Sequence, residues 1–107
     1  MKLVIHREAE WRIRLCYQWC ESIFGLTSAT RFYERILWDM ERLVRFPYLG
    51  SREELLLGMR LVYRSLVVRP HFKFIYYVDE VKLEVHIVDF WDTRQDPASL
   101  VEGFAEE

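Results

Sequence analysis

The most restrictive feature of this sequence is a change of hydrophobic period at Pro47. Before it, apolar residues recur at helical spacing; beyond Gly58 they alternate or run together as strands do. Ala9, Ile13, Cys16, Cys20 and Ile23 make one helical seam, and Trp11, Leu15 and Trp19 a second beside it. This predicts a first helix with a wide apolar face, stopped by Gly25. Ala29, Phe32, Ile36, Met40 and Leu43, widened by Tyr33, Leu37 and Val44, predict a second helix. Thr27 or Ser28 can cap its start, and it must end before Pro47 because the residue preceding proline avoids the α region. Glu8→Arg12, Glu10→Arg14 and Glu41→Arg45 are i,i+4 pairs in the favourable order. So short a linker between helices predicts an antiparallel αα-hairpin.

The flanking segments read as strands. Leu3-Val4-Ile5 is a short opening strand, and Leu61–Val68, Phe72–Val78 and Val81–Phe90 are three more. Arg69-Pro70-His71 separates the first two of these, and Asp79-Glu80 turns between the last two. In the last strand Val81, Leu83, Val85 and Ile87 point one way and Lys82, Glu84 and His86 the other. One sheet face is therefore expected to be buried and the other to reach solvent. Tyr48–Ser51 reads as a turn, and Glu53–Leu57 as a short helix or a loop. The predicted fold is α+β, in the order β-α-α-β-β-β. A mainly antiparallel sheet carries the αα-hairpin on one face, because neither layer can cover itself.

A chain of 107 residues with 51% hydrophobic and 16% aromatic content is expected to be one domain, 1–107, with an acidic C-terminal tail over 98–107. Net charge is −2, so no global basic field draws it to nucleic acid. The charge is nonetheless unevenly spread. Arg60, Arg64, Arg69 and Lys73 occur without an intervening acid, whereas acids dominate from Asp79 onward. His6-Arg7-Glu8 interrupts the opening apolar run too early for a secretory leader, and no run is long enough for a membrane span. A cytoplasmic protein with no membrane partner is expected, its Cys16 and Cys20 reduced. The spacing of His6, His71, His86 and the two cysteines forms no recognisable metal motif, and no glycine-rich phosphate loop or GxSxG exists. No metal and no cofactor are therefore expected. What remains is a set of cations on or just after the strands: Arg64, Lys73 and Arg94, with His86. Such groups can bind phosphate and stabilise charge developing on an attacked phosphodiester, and a histidine can move protons near neutral pH.

Several segments together resemble the RelE/ParE toxin family. Met1-Lys2-Leu3-Val4-Ile5 resembles its opening strand. Arg35-Ile36-Leu37 and Glu41-Arg42-Leu43, running into Phe46-Pro47-Tyr48-Leu49-Gly50, resemble the end of its second helix and the F-P-x-L-G loop of ParE-like members. Arg64–Val68 followed by Phe72–Asp79 resembles the central L-V-x-x-Y-R-I-V-Y-x-V-D hairpin, and Val85–Pro97 the last strand with its D-T-R-Q-x-P end. The resemblance spans roughly residues 1–97.

It implies the toxin component of a bacterial type II toxin–antitoxin (plasmid stabilisation) system, a growth inhibitor neutralised by a cognate antitoxin protein bound on an exposed apolar surface. RelE-like members cut mRNA on the ribosome without a metal. In that alternative Arg64, Lys73, His86 and Arg94 would be catalytic. Leu66 stands where a second lysine would be expected, however, and no tyrosine follows Arg94. The resemblance therefore implies a ParE-like protein-binding inhibitor, with DNA gyrase as its partner and Arg60, Arg69, His71 and Gln95 as target-binding residues. A non-toxic binding protein of the same fold is the third alternative.

Overall fold

The computed structural model describes residues 1–105. Strand β1 (Lys2–Ile5) leads into α1 (Arg7–Phe24) and α2 (Leu26–Arg45). A two-residue β2 (Ser51–Arg52) and a 3-10 turn (Glu54–Leu56) precede β3 (Arg64–Val68), β4 (Phe72–Asp79) and β5 (Glu84–Asp92), and α3 (Pro97–Gly103) is the last element among the described residues. The sheet order is β1-β5-β4-β3-β2, with β1 parallel to β5 and every other pairing antiparallel. The expected α+β architecture is what forms, with a short β2 and α3 added to it. The expected acidic tail is largely α3, capped by the Asp96 carboxylate on Ala98 N–H at 3.0 Å; Glu106 and Glu107 lie outside the described residues.

The helical hairpin turns on one residue. Gly25, at φ 90°, ends α1 and starts α2, a backbone geometry that L side chains rarely adopt. The second helix therefore begins at Leu26, and neither Thr27 nor Ser28 caps it. Ala9, Ile13, Ile36, Met40 and Leu43 press onto Val68, Phe72, Phe74, Tyr76, Val85, Ile87 and Phe90 of the sheet. The secondary seams behave differently. Trp11, Leu15, Trp19, Tyr33 and Leu37 are exposed rather than core, because one sheet face accommodates only the inner stripe of each helix.

Two strand boundaries shift. Leu61–Tyr63 precede β3 as irregular chain. Val81–Leu83 form a turn in which the Asp79 carboxylate accepts from the Val81 and Lys82 N–H groups at 3.1 and 3.0 Å. Val81 and Leu83 are accordingly exposed, and Leu83 takes a positive φ of 57°. Farther along β5, Ile75 faces Asp89 while Tyr76 faces Ile87, so Val88 is an extra residue in the ladder. This bulge reverses the alternation. Before it Val85 and Ile87 face the helices; after it Phe90 does, and Trp91 turns to the other face. That second face is covered, contrary to the sequence expectation. Leu56, Tyr63, Ile75, Trp91 and Leu100 form a smaller core there, because Ile75 and Trp91 demand a cover and the 3-10 turn and α3 supply it.

The Phe46–Gly50 loop is pinned to the sheet from below. The buried Tyr76 hydroxyl donates to the Pro47 carbonyl and accepts from the Gly50 N–H, both at 2.9 Å. Arg64 Nη1 donates to the Gly50 carbonyl at 2.6 Å. A Cβ at residue 50 would collide with the Ser65 carbonyl and come within 2.8 Å of the Tyr76 hydroxyl oxygen. Tyr76→Phe, which strands both loop groups, should cost about 2 kcal/mol and lower Tm by roughly 10 °C. Gly50→Ala should cost a further-reaching ~3 kcal/mol, because the obstacle is β3 backbone. Thermal melts and urea titrations of the two variants check both values.

Candidate functional site

Register decides which of the sequence-predicted residues can act together. Arg64 pairs with Tyr76, on the helix-covered face, and its guanidinium lies 5.0 Å over the Tyr48 ring. Lys73 and His86 occupy the opposite face, alternating with Phe72, Phe74, Val85 and Ile87. The sheet therefore separates Arg64 from Lys73 and His86 rather than gathering all of them. Lys73 Nζ is 2.6 Å from Glu53 Oε2, both side chains being nearly enclosed, so its charge is matched inside the protein. Arg94 forms a two-pronged pair with Asp92, at 3.1 and 2.9 Å. The guanidinium's hydrogen bonds hold the Asp92 carboxyl below its ordinary range, so the stability contributed by this pair is present above that range and is lost as pH falls through the lowered value. Arg60 and Arg69 are exposed, and His71 is half-buried against Phe72. The His71 carbonyl anchors Thr93 through its N–H and hydroxyl, both at 2.8 Å.

Arg94 and Gln95 do meet another feature. They border a groove of about 520 Å³ whose opposite wall is α1: Trp11, Leu15, Cys16 and Trp19. Trp11 and Trp19 are 52% and 53% exposed, an unusual amount of aromatic surface to leave in water, and they lie two turns apart on one helix face. Phe72 and Phe90 close the floor, and Glu8, Asp92 and Arg94 set charges at the rim. An apolar floor with a charged rim suits an amphipathic helix or an extended segment from a partner protein. The sequence does contain the Trp11–Leu15–Trp19 seam, but periodicity alone does not distinguish a second core stripe from a docking stripe.

Arg12 also lines the groove. It pairs with the buried Asp89 at 3.2 Å and lies 5.4 Å over the Trp91 ring, tying α1 to residues of the second face. Burial raises the Asp89 carboxyl above its ordinary range despite Arg12. Among the groove residues Cys16 is the one thiol, and burial, with Asp92 adding to it, pushes it up to about 11.

Sequence spacing also misses a cluster at the far end of the second face. His6 Nε2 lies 2.8 Å from His86 Nδ1, and His86 Nε2 lies 3.0 Å from Glu84 Oε1. Tyr77 stacks on His86 with ring centroids 4.6 Å apart. Burial, with His86 next, lowers the His6 pKa. Burial and the carboxylates of Asp79 and Glu84 raise that of Tyr77. No sequence signal joins His6 to His86, which are 80 residues apart; the parallel β1–β5 pairing does.

Two solved structures share this architecture. One, a chromosomal ParDE toxin–antitoxin system from P. aeruginosa, superposes with a TM-score of 0.70 at 18% identity, over 86% of this chain and 95% of that one. The other, a YoeB/ParE toxin from Agrobacterium tumefaciens, superposes with a TM-score of 0.57 at 20% identity, over 86% of this chain and 98% of that one. No protein-family model and no curated protein matches the sequence. The likeness therefore rests on the shape of the backbone.

Two outcomes follow from the site geometry. Lys73→Ala leaves Glu53 enclosed without its cation and should cost about 3 kcal/mol in a urea titration, so any loss of function in that variant must be read against its stability. Cys16, with its thiolate disfavoured, should react with iodoacetamide at pH 8 about 100-fold more slowly than an ordinary free thiol, and at the ordinary rate once the protein is unfolded. Mass-spectrometric alkylation kinetics measure both.

Proposed function

We propose that this chain, which has the RelE/ParE toxin fold, is the toxin of a type II toxin–antitoxin system, a ParE-like inhibitor that acts by binding a protein. The observation that carries the reading is the α1 groove, where two half-exposed tryptophans face Arg94 and Gln95. A cognate antitoxin would fill such a groove with an amphipathic segment, its apolar side on Trp11, Leu15 and Trp19. The engagement of the basic residues supports binding over RNA cleavage. Arg64 is spent on the Gly50 carbonyl, Lys73 on Glu53 and Arg94 on Asp92, and His86 is held between His6 and Glu84. DNA gyrase is the target this reading implies, with the exposed Arg60, Arg69 and Gln95 and the half-buried His71 as the residues to test for contact. No helix among the described residues is long and apolar enough to cross a membrane, and action in the cytoplasm is part of the proposal.

Induced expression of the chain alone should arrest growth, and co-expression of the small open reading frame beside its gene should restore it. Normal growth with soluble protein would sink the toxin reading. With purified protein at micromolar excess, gyrase supercoiling should fall; new cuts in ribosome-bound message with supercoiling intact would favour the RelE-like alternative. Trp11→Ala and Trp19→Ala, both on the surface, should leave Tm within about 1 °C and each weaken antitoxin binding roughly tenfold or more by calorimetry.

A further inference from the structure

The cluster at the β4–β5 turn has the composition of a metal site, and the geometry points to one: Asp79, Glu84 and His86 form a site for a single divalent ion of the zinc class. This inference is independent of the toxin reading. Asp79 and Glu84 are directly paired across the two strands, and His86 follows Glu84 by two residues, so all three side chains stand on the same sheet face. One ligand atom from each lies within 4.8 Å of the others. Tetrahedral zinc bound to nitrogen and oxygen at about 2.0–2.1 Å needs its ligand atoms roughly 3.4 Å apart, which rotamer adjustments at a half-buried surface supply. Three protein ligands leave a fourth position for water, the pattern of an open rather than a closed structural site.

The surroundings fit an ion in three respects. First, the His86 side chain is already oriented as a ligand. Its Nδ1 is held 2.8 Å from His6 Nε2 and its ring lies flat on Tyr77, which leaves Nε2 aimed at Glu84. In the metal-free protein His6 Nε2–H can donate to His86 Nδ1 and His86 Nε2–H to Glu84 Oε1; a metal ion takes the place of the Nε2 proton, and Nδ1–H then donates to His6. His6 is then the outer partner that fixes the tautomer, as metal-bound histidines commonly have. Second, Asp79 is half committed and half free. Its Oδ1 accepts both turn N–H groups, so the carboxylate is locked in place while Oδ2 remains available. Third, among the described residues no lysine or arginine pairs with Asp79 or Glu84; the one ion-pair partner of Glu84 is His86 itself. An imidazole with two carboxylates favours zinc over magnesium or calcium, which take more oxygen ligands and no nitrogen.

The test uses untagged full-length protein stripped with chelator, titrated calorimetrically with ZnCl2 and separately with MgCl2. One zinc ion per chain is expected, with no magnesium heat, and a rise in Tm on adding zinc. Glu84→Gln and His86→Gln should each weaken zinc at least about tenfold, and His6→Gln by roughly tenfold through the orientation of His86. Cys16→Ser/Cys20→Ser should bind zinc as the parent does, and the cobalt form should show d–d bands without a thiolate charge-transfer band. Circular dichroism and metal-free Tm establish that each variant is folded; Glu84→Gln, at a half-buried surface position, carries the test if His86→Gln is not. Absence of one-to-one zinc binding overturns the proposal. So does parent-like affinity in folded Glu84→Gln, or loss of binding in the cysteine variant.

Discussion

The buried hydroxyl of Tyr76 is the interaction on which the arrangement of this protein turns. It sits in the middle strand of the sheet with its ring in the main core, yet its oxygen serves two backbone groups of the Phe46–Gly50 loop. A polar atom at that depth must be hydrogen-bonded, and the two loop groups satisfy it as it satisfies them. The single contact therefore couples the end of α2 to β4. Arg64 reinforces it from β3, and Gly50 permits the approach because there is no room for a Cβ. The residues that resemble a family loop in the sequence are thus, in the structure, the joint between the helical layer and the sheet.

The bulge at Val88 is the second constraint, and it sets what each face of the sheet offers. One extra residue moves Phe90 under the helices and sends Asp89 and Trp91 the other way. Trp91 then needs cover, which brings α3 and the 3-10 turn onto the second face and encloses Glu53 with Lys73. The covered area stops short of the β4–β5 turn. There the second face stays half open, and the two histidines, Tyr77 and two carboxylates gather. On the other side of the molecule, the hairpin buries only the inner stripe of α1. The outer stripe of Trp11, Leu15 and Trp19 faces the end of β5 across a groove. Both candidate sites are edges of the same packing scheme, places where a layer ends before its apolar or polar groups are satisfied.

By itself the sequence determined the two helices, the reversal at Gly25, the four longer strands apart from their ends, and the α+β class. These follow from hydrophobic period and from the backbone preferences of glycine and proline, which are local properties of the chain. The inner stripe of each helix was legible for the same reason, except that Ile23, placed in the first seam by its spacing, is exposed at the end of α1. Tertiary structure decided the rest. Whether Trp11 and Trp19 are core or surface depends on how wide a face the sheet presents, which no helix encodes. Arg64 and Lys73 are nine residues apart in sequence and lie on opposite faces of the sheet, because register across β3 and β4 assigns each side chain to a face. His6 reaches His86 only through a parallel pairing of the first strand with the last. The change of period at Pro47 thus specifies which layers form. Pairing, bulge and close contact at Tyr76 specify which side chains meet, since these are relations between distant segments that no local pattern carries.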